Sequence, residues 1–370
     1  MKLFSKLRRI SARLKAICTR KPNCVTIAIY CDGGVGDGLV HLNYAKKLKE
    51  YTGDNVEIDF YFKPKITLKL YHPEDNYLHG SFAKSDLDQN FYGYDLILRM
   101  KERLPMIWHA DWSRLQALNP KLVELARHYQ SYSKRFSFFY DHSPRVDGFS
   151  QFLAMIQNGN RITQPDVGHK LGITGLDLKI RTQNDEKILK SFNLESGRFI
   201  TFNRSVDNTS EYKDSTKLWP KRHYLELWEK VHDVHPNTKL VYIGPEAEDY
   251  VPDGILNLSG RTSFEELLVL LKHAKLHIGP EGGMIHMRHA LCGLPSCVLF
   301  GPTSIAFYGY SENYNLETED VCISSCEWLV QHWQSICLKT DEEVCKKLQA
   351  LSPDTVSYTH LRAHETREDL

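Results

Sequence analysis

The chain has 370 residues, enough for two domains that each bury a core of their own. Apolar residues make up 42% and charged residues 25%, both globular values, and no run of about 18 apolar residues is available to span a bilayer. The formal net charge of +1 hides eight Lys and Arg and no acid within residues 1–21, so the remainder carries about −7 (1 − 8), which speaks against a nucleic-acid-binding body.

The first predicted element is a basic amphipathic helix over residues 1–22, in which Leu3, Leu7, Ile10, Leu14 and Ile17 recur at helical spacing. Two readings fit it: a helix lying on an anionic membrane surface, or one packed on the protein's own body. It lacks the uninterrupted apolar block of a secretory signal. The expectation is therefore a cytoplasmic, reducing compartment, with peripheral attachment to the inner face of the cytoplasmic membrane on the first reading. Disulfides are not expected there, and Cys18, Cys24, Cys31, Cys292 and Cys297 read as small core residues.

Strand-like apolar runs follow at 25–31, 56–62, 96–100 and 136–141, separated by helix-length stretches, so residues 23–180 read as a parallel, doubly wound half. A second series at 199–204, 240–244, 276–280 and 296–302 makes another Rossmann-like half over 190–330. Helices are expected there at about 221–234 and 263–274, the latter opening on a capping box of Ser263 and Glu266. The joint falls near 176–196, where polar and charged residues thicken. Residues 331–355 read as a helical, cysteine-containing segment. The last stretch, VSYTHLRAHETREDL (356–370), fits none of this and resembles translated sequencing-adapter sequence; it is set apart as non-native, His360 and His364 included.

Several turns carry chemistry. The first strand ends in Cys31-Asp32 and passes through Gly33-Gly34-Val35-Gly36-Asp37-Gly38 into a helix beginning at Leu39-Val40-His41. Such a turn sets backbone N–H groups and a carboxylate at the C-terminal edge of a sheet, where α/β proteins bind ligands. It fails as a dinucleotide fingerprint, since the sixth position counted from Gly34 is Leu39, and no Walker lysine follows. A purely structural turn is the competing reading. In the second half the strand ending in Asn203-Arg204 is followed by Ser215-Thr216-Lys217-Leu218-Trp219-Pro220, where Lys217 either neutralises a phosphate or is simply solvated. The strand ending at Gly244 precedes Leu258-Ser259-Gly260-Arg261-Thr262-Ser263. The next ends in Pro280-Glu281-Gly282-Gly283 before a helix with His286, so that the N–H groups of the two glycines and the helix dipole would face an anion. Phe300-Gly301-Pro302-Thr303 closes the following strand.

In their order and spacing these motifs resemble the heptosyltransferases of glycosyltransferase family 9, from about residue 25 to 350. The resemblance implies an α/β protein of the GT-B fold, two Rossmann-like domains facing each other across a cleft. It implies an inverting transfer of a sugar, heptose from ADP-heptose, from a nucleotide-diphosphate donor to a lipopolysaccharide, capsule or lipid-linked glycan acceptor. Asp37 then matches the catalytic base, with Gly36, Gly38 and His41 in the acceptor-side loop. Lys217, Arg204, Thr216, Gly244, Glu281, Gly282, Gly283 and His286 match the donor site. Two positions depart from the pattern: Glu281 stands where many members carry Asp, and Gly282 where they often carry Ser or Thr, which costs a hydroxyl contact to phosphate. Catalysis requires no cofactor if these groups carry the leaving-group charge. Cys322, Cys326, Cys337 and Cys345 resemble a cysteine-rich segment of a subset of these enzymes and offer four soft ligands to a structural Zn or Fe; reduced structural thiols are the alternative. Two other classes stay open: a GT-B-like nucleotide-sugar epimerase, which would not depend on an acceptor, and a catalytically silent sugar-binding protein, which would tolerate loss of Asp37.

Overall fold

The computed structural model describes residues 20–101, 103–141, 148–204, 215–234, 236–245, 251–318, 322, 325–328 and 333–358. They divide into two compact units, one within Met1–Ser143 and Phe149–Leu178, the other within Pro144–Gly148 and Lys179–Leu370. Most of the expected N-terminal helix, and Cys18, lie outside the described residues. At its end, Arg20 and Lys21 are spent on the protein itself: Arg20 pairs with the buried Asp95 at 3.1 Å and with Asp111 at 2.9 Å, and Lys21 pairs with Glu57.

In the first unit β1 (Val25–Tyr30), β2 (Val56–Phe62), β3 (Gly80–Ala83), β4 (Leu96–Lys101) and β5 (Leu104–Ala110) form a sheet in the order β3-β2-β1-β4-β5. The first four run parallel and β5 turns back antiparallel on β4. Strands covered on both faces need continuous apolar side chains, and β1 supplies them: Val25, Ile27, Ala28 and Ile29 are all fully buried. The helix α1 (Val35–Thr52) packs beside them with Leu39, Val40, Leu42, Tyr44, Ala45 and Leu48 inside. One strand expected from sequence is absent. The aromatic run at 136–141 forms a short helix, α5 (Ser137–Asp141), after α2 (Pro64–Leu70), α3 (Trp112–Leu118) and α4 (Pro120–Arg135), and α6 (Gly148–Ile156) follows it. A short apolar run does not by itself distinguish strand from helix.

The second unit holds a six-stranded parallel sheet, β11-β10-β9-β6-β7-β8. Its elements are α7 (Asp185–Ser191), β6 (Phe199–Phe202), α8 (Lys221–Val234), β7 (Lys239–Tyr242), β8 (Leu256–Asn257), α9 (Phe264–His273), β9 (Leu276–Pro280), α10 (Gly283–Cys292), β10 (Ser296–Leu299) and β11 (Tyr314–Leu316). The expected capping box is present: Ser263 Oγ accepts the Glu266 N–H at 3.2 Å, and the Glu266 carboxylate accepts the Ser263 N–H at 2.7 Å. Phe202, Trp219, Tyr224, Leu227 and Trp228 form one side of the core, and the chain end returns onto it through Leu348 in α11 (Lys346–Ala350), Leu351 and Val356. Trp219 is fully buried, which is worth about 2–3 kcal/mol, and its indole N–H is satisfied by the Leu351 carbonyl at 2.9 Å. Val356 is fully buried too, so the packed chain extends at least one residue into the segment set apart as 356–370.

Candidate functional site

Both sheets reverse their winding beside their first strand. In the first unit the chain winds from β1 outward to β2 and β3, then crosses to β4 on the other side. In the second it winds from β6 to β7 and β8, then crosses to β9. A crevice opens at the carboxyl ends of strands at such a switch point, and ligands of open α/β sheets bind there. The candidate residues fall at these two places.

At the first switch point the glycine turn leaves β1, and Asp37 folds back onto it. Its Oδ2 accepts the Gly34 N–H at 2.9 Å, closing the first turn of α1. Gly33 has φ +120°, and a Cβ there would lie 2.3 Å from Asp37 Oδ2, so this position admits only glycine. Gly38 is needed for a different reason: a Cβ would meet the Phe62 ring at 2.6 Å. Gly36 is buried in the same turn. The other Asp37 oxygen, Oδ1, receives two guanidiniums, Arg103 Nε at 2.9 Å and Arg161 Nη2 at 2.5 Å. Burial alone would raise the Asp37 pKa, but the charges of Arg103 and Arg161 outweigh it and hold the carboxyl well below the usual range. His41 lies beneath the turn, fully buried, with Nδ1 3.0 Å from Cys31 Sγ. Burial and then the Arg161 charge push it down to about 3, so it is neutral. Asp32, at the end of β1, pairs with Lys84 at 2.9 Å and Arg99 at 3.3 Å.

At the second switch point Lys217, from the loop after β6, reaches Glu281 at the end of β9, with Nζ to Oε2 at 2.5 Å. Glu281 is buried and stands directly before Gly282 and Gly283, where α10 begins. Gly282 has extended backbone, and nothing lies within 4 Å of where its Cβ would be. The lysine and the helix start thus border open space. His286, a turn into α10, is buried with Nδ1 2.6 Å from the Tyr310 hydroxyl. The remaining donor-side expectations sit in supporting positions. Thr216 is buried, its hydroxyl donating to the Trp333 carbonyl at 2.5 Å; Arg204 Nε donates to the Trp219 carbonyl at 3.2 Å; and the Gly244 carbonyl accepts the Gly260 N–H at 2.9 Å.

Sequence reasoning missed Arg103, Arg161 and Arg288. The first two lie 66 and 124 residues from Asp37, and no local pattern links them to it. Arg288 is fully buried, donating to the Leu271, Ala274 and Pro295 carbonyls; it caps the end of α9 and is structural.

Among the described residues no three His, Cys, Asp or Glu side chains are grouped to hold a metal ion. Cys322, Cys326, Cys337 and Cys345 are free thiols. Burial, and then the neighbouring Cys322 and Cys337, raise Cys326, and burial raises Cys345 to about 11. Burial also acts to raise Cys337, but the Lys346 N–H and the Thr340 hydroxyl outweigh it and favour the thiolate. The donor types suit a soft metal, and Cys326 and Cys345 each stand near enough to Cys337 to feel its charge.

Two α/β units, each with a glycine turn at the switch point of its sheet, make a GT-B-like fold. The family model for glycosyltransferase family 9 (heptosyltransferase) matches residues 126–339, and the chain belongs to that family. Among solved structures it is similar to ADP-heptose lps heptosyltransferase II of E. coli, with TM-score 0.56 and 16% identity over 94% of this chain and 100% of that one. It is similar to a family 9 glycosyl transferase of Veillonella parvula, with TM-score 0.52 and 16% identity over 94% of this chain and 98% of that one. It also resembles TibC, a dodecameric iron-containing glycosyltransferase of enterotoxigenic E. coli, with TM-score 0.56 and 13% identity over 94% of this chain and 78% of that one. No curated protein sequence matches the chain. Among the described residues no helix is long and apolar enough to cross a membrane.

Proposed function

We propose that the protein transfers heptose from ADP-heptose, with inversion, to a hydroxyl of a glycan or lipid-linked glycan acceptor. The observation that carries this reading is the meeting of Lys217 with Glu281 at the second switch point, a cation beside a helix start whose Gly282 borders open space. The second unit would hold the donor diphosphate there and the first unit the acceptor. In the transfer the acceptor oxygen forms a bond to the anomeric carbon while its proton passes to Asp37. The bond from the anomeric carbon to the diphosphate oxygen breaks, and its electron pair leaves with the nucleotide, where Lys217 and the helix start stabilise the growing charge. Solved structures similar to this chain include TibC in complex with ADP-D-beta-D-heptose, which makes ADP-heptose the first donor to try.

A screen of nucleotide-heptoses against nucleotide-hexoses, read by release of free nucleotide, tests the donor. Asp37→Asn is expected to keep donor affinity and to cut turnover by 100-fold to 10,000-fold, roughly 3–5 kcal/mol. A variant within about threefold of wild type would remove Asp37 from the mechanism. The four C-terminal cysteines are proposed as ligands of a structural Zn or Fe that would staple the last segment to the second unit. Elemental analysis of the purified chain reads this, and a chain equally low in both metals with and without Cys337→Ser would refute it.

A further inference from the structure

Asp37 is called on to accept a proton, yet its surroundings favour the ionised, paired state. Oδ1 is shared by two guanidiniums and Oδ2 takes a backbone N–H. A proton added here would sit on an oxygen already facing two positive charges. The two arginines are not equivalent. Arg161 has a side chain 3% exposed and is fixed from behind, its Nη1 donating to Gln164 Oε1 at 2.7 Å and Gln164 Nε2 donating in turn to Ser150 Oγ at 2.9 Å. Arg103 is 21% exposed and stands directly before β5, where the chain has turned back from β4, in the left-handed conformation with φ 66°. Such a conformation is uncommon for a residue other than glycine and clusters at functional sites.

We propose that Arg103 is a positioning residue that stores Asp37 as a paired carboxylate and is drawn off it by an anionic group of the acceptor, a carboxylate or a phosphate, which leaves Asp37 competent as a base. This rests on the reading of the first unit as the acceptor half. The local pairing supports it. Asp37 is paired with Arg103 and Arg161, and Asp32 with Lys84 and Arg99, so three guanidiniums and one ammonium gather at the same sheet edge. An incoming anion meets this cationic edge without any group having to ionise. The other titratable groups facing Asp37 are His41, one turn along its own helix, and Cys31 at the end of β1. Burial keeps the histidine uncharged and the thiol protonated, so the two arginines supply the positive charge that holds Asp37 ionised against its burial. A guanidinium beside an aspartate favours its ionised form, and loss of Arg103 alone would return basicity to Asp37.

If Asp37 and the acceptor anion compete for Arg103, removing Asp37 must strengthen anion binding. The test is an NMR titration of the full chain with glucuronate, glucose 6-phosphate and glucose, in a Lys217→Ala background that removes the second anion site. Asp37→Asn is expected to tighten binding of one or both anions by about tenfold, the two arms separating carboxylate from phosphate, and to leave glucose unchanged. Arg103→Gln should abolish the gain, and Arg103→Lys, which keeps the charge, should retain part of it and serve as the check on folding. A merely structural Arg103 would not produce this pattern. Equal anion affinity with and without Asp37, or a gain that survives Arg103→Gln, would overturn the inference. If the donor screen finds no transfer while the gain appears, the clamp stands and the reaction is wrong; transfer without the gain removes the clamp alone.

Discussion

Gly282 and Gly33 show how differently two glycines in similar turns are constrained. At Gly33 a side chain collides with Asp37 and the backbone is left-handed, whereas at Gly282 the backbone is extended and the space above is open. Gly282→Ala should therefore leave the thermal midpoint near wild type. It should still weaken binding of the nucleotide diphosphate, because the methyl group would occupy the space through which phosphate approaches the N–H groups. Lys217→Ala should lower both that affinity and turnover, since charge on the leaving oxygen grows along the reaction. Calorimetric titration with ADP reads the first effect, and unchanged affinity in both variants would place the donor elsewhere. At this scale the sequence pointed to candidate residues but not to their pairings. Asp37 and Glu281 announce themselves by standing beside glycines after strand ends, and Lys217 by standing before Leu218-Trp219-Pro220 at a helix start. Nothing local says that Lys217 meets Glu281 or that two distant arginines close on Asp37, because those contacts are made by sheet order.

Among the elements, strands with apolar residues on both faces were legible. The runs at 25–31, 56–62, 96–100, 199–204, 240–244, 276–280 and 296–302 correspond to β1, β2, β4, β6, β7, β9 and β10. The strands that escaped notice, β3, β5, β8 and β11, are edge strands or pair next to an edge, and β3, β8 and β11 are only partly buried along their length. An edge strand needs no continuous apolar run, and β5 even carries Pro105. The omission of β5 mattered for the site. The β4–β5 hairpin delivers Arg103, so a reading that lacked the hairpin had no means of bringing that arginine to β1. The aromatic run at 136–141 failed in the opposite direction, its apolar density resembling a strand where the chain forms α5.

For the whole molecule, the two units share a design that predicts a common response to acid. Each buries a neutral histidine: His41 against Cys31 just after the glycine turn in the first unit, and His277 in β9, 3.0 Å from Thr201 Oγ1, in the second. Burial first, and then a neighbouring arginine, bring both down to about 3 from the ordinary 6.5. The unfolded chain therefore binds protons at these positions below about pH 6.5, while the folded chain does not until near pH 3. Their contribution is fully present above pH 6.5 and is lost as the pH falls toward 3, at about 1.4 kcal/mol per pH unit for each histidine. Asp37 acts in a separate window: its carboxyl is depressed below the usual range, so its share is lost only under more acidic conditions. Between pH 7 and pH 5 each unit should thus lose about 2 kcal/mol through its histidine. Denaturant unfolding at the two pH values should show that loss, and His277→Gln, less stable at pH 7, should have a shallower pH dependence in the second unit while the first keeps its own. A His277→Gln chain with the same pH dependence in both units would mean that His277 is charged in the fold and that the second unit's acid sensitivity arises elsewhere.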